Sequence, residues 1–315
     1  VKYVKYYLKK TKENYLCLAG GIFANVLVNM RLRELKQVKQ LFVFPHMGDG
    51  GISVGSAAYV SDLFKEKIKS IEHVYLGPSF SQKEYLIEIK KHNVKMEKPS
   101  GFSRKVAKLL NEGKIVGLFC GSMEFGPRAL GNRSIIGDAR SPKMQRKMNL
   151  KIKYRESFRP FAPTVLAERI SDYFEIDCES PYMLLVAQVK KERQIPMKEE
   201  EKDFFGLNKL NVVRSDVPAI THIDYSARIQ SVNADDNPRY HQLIKKFEDK
   251  TGCPVIVNTS FNVRGEPIVQ SPMDAYKCFM RTEMDYLAMG DFLLDKEDQP
   301  EFIDDLDWRE EFELD

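Results

Sequence analysis

Two segments near the start of the chain repeat one order of structural elements. The apolar run YLCLAG (15–20) precedes a helical pattern over 23–37, with a double glycine between them. LFVFP (41–45) is followed by the glycine-rich HMGDGG (46–51) and a second helical pattern. A strand, a glycine turn and a helix, taken twice, are typical of an α/β layer that binds ligands at the carboxyl ends of its strands. Residues 1–95 are therefore predicted to form an α/β domain, which ends with an exit strand from residue 74, a turn at Gly77-Pro78 and another helix.

A polar, turn-rich stretch, KKHNVKMEKPSG (90–101), separates this region from a second one. Residues 96–315 are predicted to form an α+β domain with a largely antiparallel or mixed sheet, an excursion at the surface over 189–215 and a solvated acidic tail. Two helices are expected to begin at Ser-Pro pairs, because serine caps free amides and proline suits the first helical position. The other expected elements are helices at 102–113 and 238–250 and strands at 114–121, 161–166, 182–189, 227–232 and from 253 onward.

Composition limits the classes of function. The 315 residues include 49 basic and 45 acidic side chains, a net charge of +4, which argues against a polycationic surface for nucleic acid. No apolar run reaches the roughly 18–20 residues of a membrane span. The five cysteines are scattered and form no C-x-x-C pair, so neither a disulfide framework nor a structural zinc site is expected. The expectation is a cytoplasmic protein that binds neither membrane nor nucleic acid.

The stretch EFGPRALGNRSII (124–136) reads as a loop that carries Arg128 and Arg133 after a buried strand. KYRESFR (153–159) adds a lysine and two arginines just before the next strand, where alternation would point Lys153 and Arg155 the same way. Arginine forks bind phosphate or carboxylate oxygens through paired hydrogen bonds. The cluster predicts a ligand with several phosphates; the alternative is a set of solvated surface charges.

A second polar loop, NTSFNVRGEP (258–267), follows a β-branched strand. Asn258, Ser260 and Asn262 alternate there and offer neutral donors and acceptors, while Arg264 adds an anion contact. The alternative is a turn in which these side chains bind the local backbone.

The glycine turns of the first region present backbone amides at helix N-termini, which suit phosphate or ribose groups. Asp49 lies between glycines and could approach a cation. Two tight turns without a ligand are the alternative interpretation. The five histidines show no i, i+2 or i, i+4 pair, so the chain alone does not predict a complete metal site.

Together these segments resemble the O-carbamoyltransferase family, which includes nodulation-factor, cephalosporin and aminoglycoside carbamoyltransferases. The resemblance covers nearly the whole chain except 190–215 and the acidic tail. It implies the C-terminal portion of an actin-like ATPase (ASKHA) domain at 1–95 and a YrdC-like α+β domain at 96–315. The segments that carry it are MEFGPRALGNRSII (123–136), KIKYRESFRPFAP (151–163), NTSFNVRGEPIV (258–269), LCLAGGIFANVLVNMRL (16–32) and GDGGISVGSAA (48–58). The last two resemble a domain shared with tRNA threonylcarbamoyl-transferring ATPase-like proteins.

The resemblance implies a two-step reaction and a set of residues for it. The YrdC-like domain would make carbamoyl adenylate from carbamoyl phosphate and ATP, and the first domain would transfer the carbamoyl group to an acceptor hydroxyl. Arg128, Lys153 and Arg155 are the expected catalytic residues, with Lys153–Arg155 and Ser260–Asn262 resembling the K-x-R and S-x-N signatures. The expected ATP and carbamoyl-phosphate site is Arg128, Arg133, Lys153, Arg155, Arg159, Asn258, Ser260, Asn262 and Arg264. The expected adenylate site in the first domain is Gly20, Gly21, Asn25, Gly48 and Gly50.

The departures from the family matter as well. Its members are much longer, and their first domain begins with a half carrying a histidine pair that holds a metal, usually assigned as iron, together with the aspartate of G-D-x-G. Asp49 matches that aspartate, but no candidate histidine pair is present. The chain is thus expected to be a C-terminal fragment that makes the adenylate but does not complete transfer. Mg²⁺ is expected with ATP, iron only in the full-length enzyme, and a homodimer is compatible with the family.

Two other functions remain open at this point. A threonylcarbamoyl-adenylate synthase would share the nucleotide chemistry but use threonine and bicarbonate. A non-enzymatic nucleotide- or RNA-binding module would show salt-sensitive RNA binding, although no stripe of stacking aromatic residues is present. The natural acceptor cannot be read from the sequence.

Overall fold

The structure, a computed structural model, describes residues 1–68, 70–90, 93–156, 159–206, 209 and 212–302. The acidic tail beyond residue 302 lies outside them. The first region contains α1 (Lys2–Thr11), β1 (Tyr15–Leu18), α2 (Val26–Arg33), β2 (Gln40–Val43), α3 (Ile52–Leu63) and α4 (Gln82–Lys90). β1 and β2 pair in parallel, with α2 in the crossover between them, as the repeated strand–glycine–helix order predicts.

The second region is built on an eight-stranded mixed sheet with the strand order β10-β9-β3-β4-β8-β5-β7-β6. The β3–β9 and β5–β7 pairs are parallel and the other neighbours are antiparallel. The mixed sheet confirms the sequence prediction. Its strands are β3 (Val116–Phe119), β4 (Arg133–Asp138), β5 (Ala162–Leu166), β6 (Leu185–Gln188), β7 (Ser226–Val232), β8 (Val255–Ser260), β9 (Tyr286–Met289) and β10 (Phe292–Asp295).

Helices cover this sheet, and their starts follow the local sequence with one exception. The last helix begins with the predicted serine cap: Ser271 Oγ accepts from the Asp274 amide and the Asp274 carboxylate accepts from the Ser271 amide. The helix predicted after Ser141 begins only at Met144 and has no side-chain cap. The helices are α5 (Phe102–Asn111), α6 (Met144–Lys151), α7 (Ile170–Tyr173), α8 (Glu199–Lys202), α9 (Pro238–Thr251) and α10 (Pro272–Arg281).

Two segments differ from the sequence prediction. Residues 133–138, read as the end of a loop, form β4 in the middle of the sheet, and every one of them is buried. Residues 74–77, read as a strand, belong to no strand in the part of the chain described. They bind the neighbouring loop instead, where the Phe125 amide donates to the Val74 carbonyl at 2.6 Å and the Gly77 amide to the Met123 carbonyl at 2.9 Å.

The two regions are in contact. Leu18, Leu32 and Val43 of the first region share a buried cluster with Leu184 of the second. Buried Asn29 on α2 donates to the Leu184 carbonyl at 3.1 Å. These contacts place the N-terminal end of α2 beside the edge of the large sheet. The boundary after residue 95 stays a prediction, although Tyr85 of α4 packs into the large core.

Candidate functional site

A cavity of about 500 Å³ opens at one edge of the large sheet. β5 and β7 run parallel and begin at this edge, while β8 runs antiparallel to β5 and ends there. Polar residues that lie far apart in the sequence therefore meet. The cavity is lined by Val26 and Leu27 of α2, by Pro127, Arg128 and Ala129, by Arg155, Arg159, Pro160, Phe161 and Ala162, by Met183 and Val186, by His222, Asp224, Ser226 and Arg228, and by Asn258, Thr259 and Ser260.

Two arginines in this wall have no acceptor among the described residues. Within the described residues, neither Arg128 nor Arg228 makes a hydrogen bond or an ion pair, and Arg128 Nε is buried without a partner. Burial lowers the pKa of the Arg128 guanidinium. Burial, followed by repulsion from Arg128 and Arg155, lowers the pKa of Arg228 to about 10. A site that gathers half-buried cations, two of them with no ion-pair partner among the described residues, is suited to an anionic ligand.

Arg155 is held in position by its neighbours. Its Nε donates to Asn149 Oδ1 at 2.7 Å, and its guanidinium lies 5.0 Å from the centre of the Phe161 ring. Burial and the charge of Arg159 lower its pKa to about 10. Arg159 forms an ion pair with Glu156 at 3.1 Å, so part of its charge is already balanced.

Lys153 does not share the cavity with Arg155. Tyr154 between them has a φ of 46°, which breaks the extended alternation on which the prediction of a common direction rested. Lys153 is only 4% exposed and its Nζ donates to two oxygens of Ser260 and two of Asn262, at 2.6–3.2 Å. Burial lowers the pKa of this ammonium to about 7. Lys153 thus joins the K-x-R and S-x-N segments from behind the cavity wall.

The polar loop after β8 also has some residues inside the cavity lining and others outside it. Asn258 and Ser260 line the cavity, and Asn258 Nδ2 donates to Gln230 Oε1 at 2.7 Å and to the Ala129 carbonyl at 3.1 Å. Asn262 instead closes its own turn by donating to the Glu266 carbonyl at 2.6 Å. Arg264 is half-buried and lies outside the lining. Its charge also lowers the pKa of Arg155, although burial and the charge of Arg159 have larger effects.

Arg133 requires a correction, because the structure does not bring it to the cavity. Its side chain is 0% exposed and lies over the Phe119 ring, 3.8 Å from the ring centre. NH1 donates to the carbonyls of Cys120, Gly121 and Asn132, and NH2 donates to that of Pro78. These carbonyls accept from both terminal nitrogens of the guanidinium, while Nε is buried without a partner among the described residues. Arg133 therefore has the contacts of a structural residue that ties β4 to the preceding loop, not those of a phosphate ligand.

The loop that presents Arg128 is braced by a buried carboxylate. Glu124 Oε1 accepts from the amides of Leu130, Asn132 and Arg133 at 2.7–3.3 Å. Burial raises the pKa of Glu124, and the amide hydrogen bonds act against that rise. Gly131 has a φ of 118°, and a Cβ there would overlap a ring at the start of α9. The sequence MEFGPRALGN therefore folds as one fixed turn.

The cavity residues that sequence reasoning missed include four polar ones at or just before the start of β7. Ser226 and Arg228 point to one face at the start of β7, two residues apart as strand alternation requires. His222 and Asp224 precede that strand. The available signal was an arginine inside the apolar run ARIQSV, because a charged side chain in a buried strand is rare without a partner or a ligand.

The glycine turns of the first region lie outside this cavity. The Gly20 amide donates to the Met47 carbonyl at 2.6 Å, joining the two turns, and a Cβ at Gly50 would overlap the His46 ring. Asn25 Oδ1 caps α2 by accepting from two amides. Close packing thus accounts for Gly50, whereas an added Cβ at Gly20, Gly21 or Gly48 would meet open space. Of the predicted first-domain set, Gly20, Gly21, Asn25, Gly48, Asp49 and Gly50, none lines the 500 Å³ cavity.

Asp49 is exposed at the start of a short helical turn. Across the described residues, no cluster of three or more His, Cys, Asp or Glu side chains is arranged to hold a metal ion. Nor does any described helix combine the length and apolarity needed to span a bilayer.

Comparison with known protein families identifies the family of the chain. The profile of the carbamoyltransferase C-terminus matches residues 107–296, and that of the carbamoyltransferase N-terminus matches residues 1–58. The chain therefore belongs to the carbamoyltransferase family.

Similar curated proteins include an uncharacterized protein of Synechocystis, 52% identical over 95% of this chain and 50% of that protein. Nodulation protein NolO of Bradyrhizobium diazoefficiens is 34% identical over 93% of this chain and 51% of its own length. Nodulation protein U of Rhizobium fredii is 33% identical over 79% of this chain and 38% of its own length. The chain spans about half the length of the first two of these relatives.

Two solved structures of HypF are more distant. The T. kodakarensis protein has a TM-score of 0.35 and 18% identity over 56% of this chain and 19% of its own. A full-length HypF in the phosphate- and nucleotide-bound form has a TM-score of 0.36 and 16% identity over 86% of this chain and 38% of its own. Likeness at this level carries no argument about the site.

Proposed function

We propose that the cavity binds ATP and carbamoyl phosphate, and that residues 96–315 form carbamoyl adenylate there. The single observation that carries this proposal is the pair Arg128 and Arg228, which line the cavity and, among the described residues, have no acceptor. Membership of the carbamoyltransferase family supports the choice of substrates. A volume of about 500 Å³ lies within the range of small-molecule sites, about 300–1,000 Å³.

In this reaction water releases phosphate from carbamoyl phosphate, and an oxygen of the resulting carbamate attacks the α-phosphorus of ATP. The bond to the β-phosphate oxygen breaks and pyrophosphate leaves. Two polyanions must approach each other, so the main task of the protein is to offset repulsion and to hold the groups in line. Arg128, Arg155 and Arg228 are placed to do this, because arginine forks bind phosphate oxygens through two parallel bonds.

Three further residues complete the proposed site around these arginines: Lys153, Asn258 and Ser260. Ser260 and Asn258 offer polar atoms at the cavity wall. Lys153 fixes the loop that carries Ser260, so its role in this proposal is to position the loop rather than to contact phosphate. We propose further that Arg159 contributes at the rim, while Arg264 adds positive potential from behind.

Metals enter this proposal in a limited way. Mg²⁺ usually binds through nucleotide phosphates, so in this proposal it enters the site together with ATP. For iron the described residues do not fit, because Asp49 belongs to no group of three candidate ligands. We derive no step through iron.

For the full-length protein we propose transfer of the carbamoyl group to an acceptor hydroxyl, with the first region belonging to an actin-like ATPase domain and the second to a YrdC-like domain. The substrates would be small molecules in the cytoplasm, and a homodimer is compatible with this arrangement.

Pyrophosphate release tests the proposal. The purified chain, supplied with ATP, should release pyrophosphate only when carbamoyl phosphate is present, and carbamoyl adenylate should be seen by mass spectrometry. Threonine with bicarbonate should not replace carbamoyl phosphate. If folded protein that binds ATP releases no pyrophosphate, adenylate formation by residues 96–315 is refuted.

A further inference from the structure

A chain of hydrogen bonds occupies the cavity wall beside Arg228. Ser226 Oγ lies 2.6 Å from Asp224 Oδ1 and 3.2 Å from His222 Nδ1, and the Ser226 amide also donates to Asp224 Oδ1 at 3.1 Å. All three residues line the cavity. The binding of phosphates does not require them, because a carboxylate and an acceptor nitrogen oppose anion binding.

The protons of this chain can be assigned from its chemistry. Burial alone would raise the pKa of the Asp224 carboxyl, but its bonds from Ser226 lower the pKa, so the group is ionised and only accepts. Ser226 O–H must then donate to Asp224. Its oxygen is left to accept from His222, which places the imidazole proton on Nδ1.

His222 therefore presents an acceptor to the cavity. Burial lowers the pKa of its imidazole, the Asp224 charge opposes that effect, and Arg228 adds to it, so the ring is neutral at pH 7. Asp224 and Arg228 are the charged groups that act on the His222 ring. The hydrogen bond described for the ring is the one with Ser226. With the proton on Nδ1, Nε2 carries a free lone pair. Among the described residues no protein donor reaches that nitrogen.

The position of this acceptor selects its ligand. His222 Nδ1 lies 3.2 Å from Ser226 Oγ, and Ser226 is two residues from Arg228 on the same face of β7. The acceptor thus lies in the part of the cavity wall that carries Arg228. In carbamoyl phosphate the NH₂ group is only three bonds from phosphorus, whereas the amino group of adenine lies far from the nucleotide phosphates.

We propose that His222 Nε2 accepts a hydrogen bond from the carbamoyl NH₂ group and so selects carbamoyl phosphate over acyl phosphates that lack it. This inference rests on the proposed function of the same cavity. Ser226 and Asp224 are positioning residues that fix the His222 tautomer. A site that holds an acceptor for an N–H group rejects the methyl analogue because the acceptor is left unpaired.

Calorimetric binding of carbamoyl phosphate and acetyl phosphate to the full chain, with non-hydrolysable ATP present, tests the inference. Wild type should prefer carbamoyl phosphate, and His222→Phe should lower that preference about ten-fold, the effect of one hydrogen bond. Affinity for acetyl phosphate and for the ATP analogue should not change. His222→Gln, which keeps an acceptor oxygen, should retain part of the preference and serves as the matched control.

The tautomer provides a second readout. In ¹⁵N spectra, wild-type His222 should show the Nδ1-protonated form, and Ser226→Ala should shift the population toward the Nε2-protonated form together with a loss of preference. A loss of preference without a tautomer change would contradict the positioning role.

Each outcome separates the two proposals. Unchanged preference in folded His222→Phe overturns the inference even if pyrophosphate release persists. Equal losses of ATP-analogue and carbamoyl-phosphate binding would assign His222 to the nucleotide and also overturn it. Preference that depends on His222 in a protein that releases no pyrophosphate would support the inference and refute adenylate formation.

Discussion

Arg128 and Arg228 come from distant segments of the chain and face one cavity, where burial and then the charge of Arg128 lower the pKa of Arg228 to about 10. No described carboxylate forms an ion pair with either guanidinium. Such an arrangement is unfavourable for the protein alone, because desolvated like charges destabilise the folded state. It becomes favourable when an anion binds between them.

We expect Arg128 and Arg133 to respond in opposite ways to truncation. Arg128→Ala removes a half-buried charge that has no acceptor among the described residues, and it should leave the unfolding free energy unchanged or higher. Arg133→Ala removes a fully buried side chain and the donor to the buried Cys120 carbonyl, and should lower that free energy by about 2–4 kcal/mol. Urea denaturation of both variants measures the difference. Equal stabilities would show that Arg133 does not have the structural role assigned to it.

Glu124 is predicted to control the shape of the Arg128 loop. Glu124→Ala removes the acceptor for three amides and should destabilise the protein by about 1–3 kcal/mol while weakening ATP binding. Glu124→Gln keeps an acceptor oxygen and should lose less stability and less ATP affinity than the Ala variant. Melting temperatures and ATP affinities of the two variants provide the test, and an Ala variant with wild-type affinity would exclude the bracing role.

Lys153 should make stability depend on pH in a defined direction. Its folded-state pKa of about 7 lies below the ordinary value of 10.5, so the unfolded chain binds more protons between these values. Stability should therefore rise with pH across this window, by at most about 1.4 kcal/mol per unit, and Lys153 should add no pH dependence below about 7, where the folded and unfolded states both bind its proton.

The measurement for Lys153 is denaturant unfolding at pH 6.5, 8 and 9.5, compared with Lys153→Met. The variant should lack this rise. The unfolding free energy of wild type should therefore increase relative to that of the variant as pH increases. Parallel pH profiles would mean that Lys153 stays protonated, held by its four oxygen contacts with Ser260 and Asn262.

The sequence predicted the large elements of the fold and part of the site. Strand and helix patterns carry their own periodicity, so β5, β7, β8 and α9 were placed close to their observed bounds. The segments around Arg128, Arg155 and Ser260 were recognised because glycine, proline and arginine concentrate in them. The structure brings these segments together at one sheet edge.

The direction of each side chain could not be predicted in the same way. Arg133 follows Arg128 by five residues, but it begins β4 and turns inward, which depends on strand pairing across the sheet. The left-handed backbone of Tyr154 separates Lys153 from Arg155. Arg228 and His222 join the site only through the parallel pairing of β7 with β5, a contact between residues more than sixty positions apart.

Calorimetric titration of ATP into wild type, Arg228→Ala and Arg146→Ala tests the central claim most directly. Arg146 is an exposed arginine on α6 outside the cavity lining, so its variant controls for the loss of one positive charge. Loss of an arginine fork should cost about 1.5–3 kcal/mol, so Arg228→Ala should weaken ATP about 10–100-fold while Arg146→Ala binds as wild type does. Equal affinities in all three proteins would contradict the assignment of the cavity as the phosphate site.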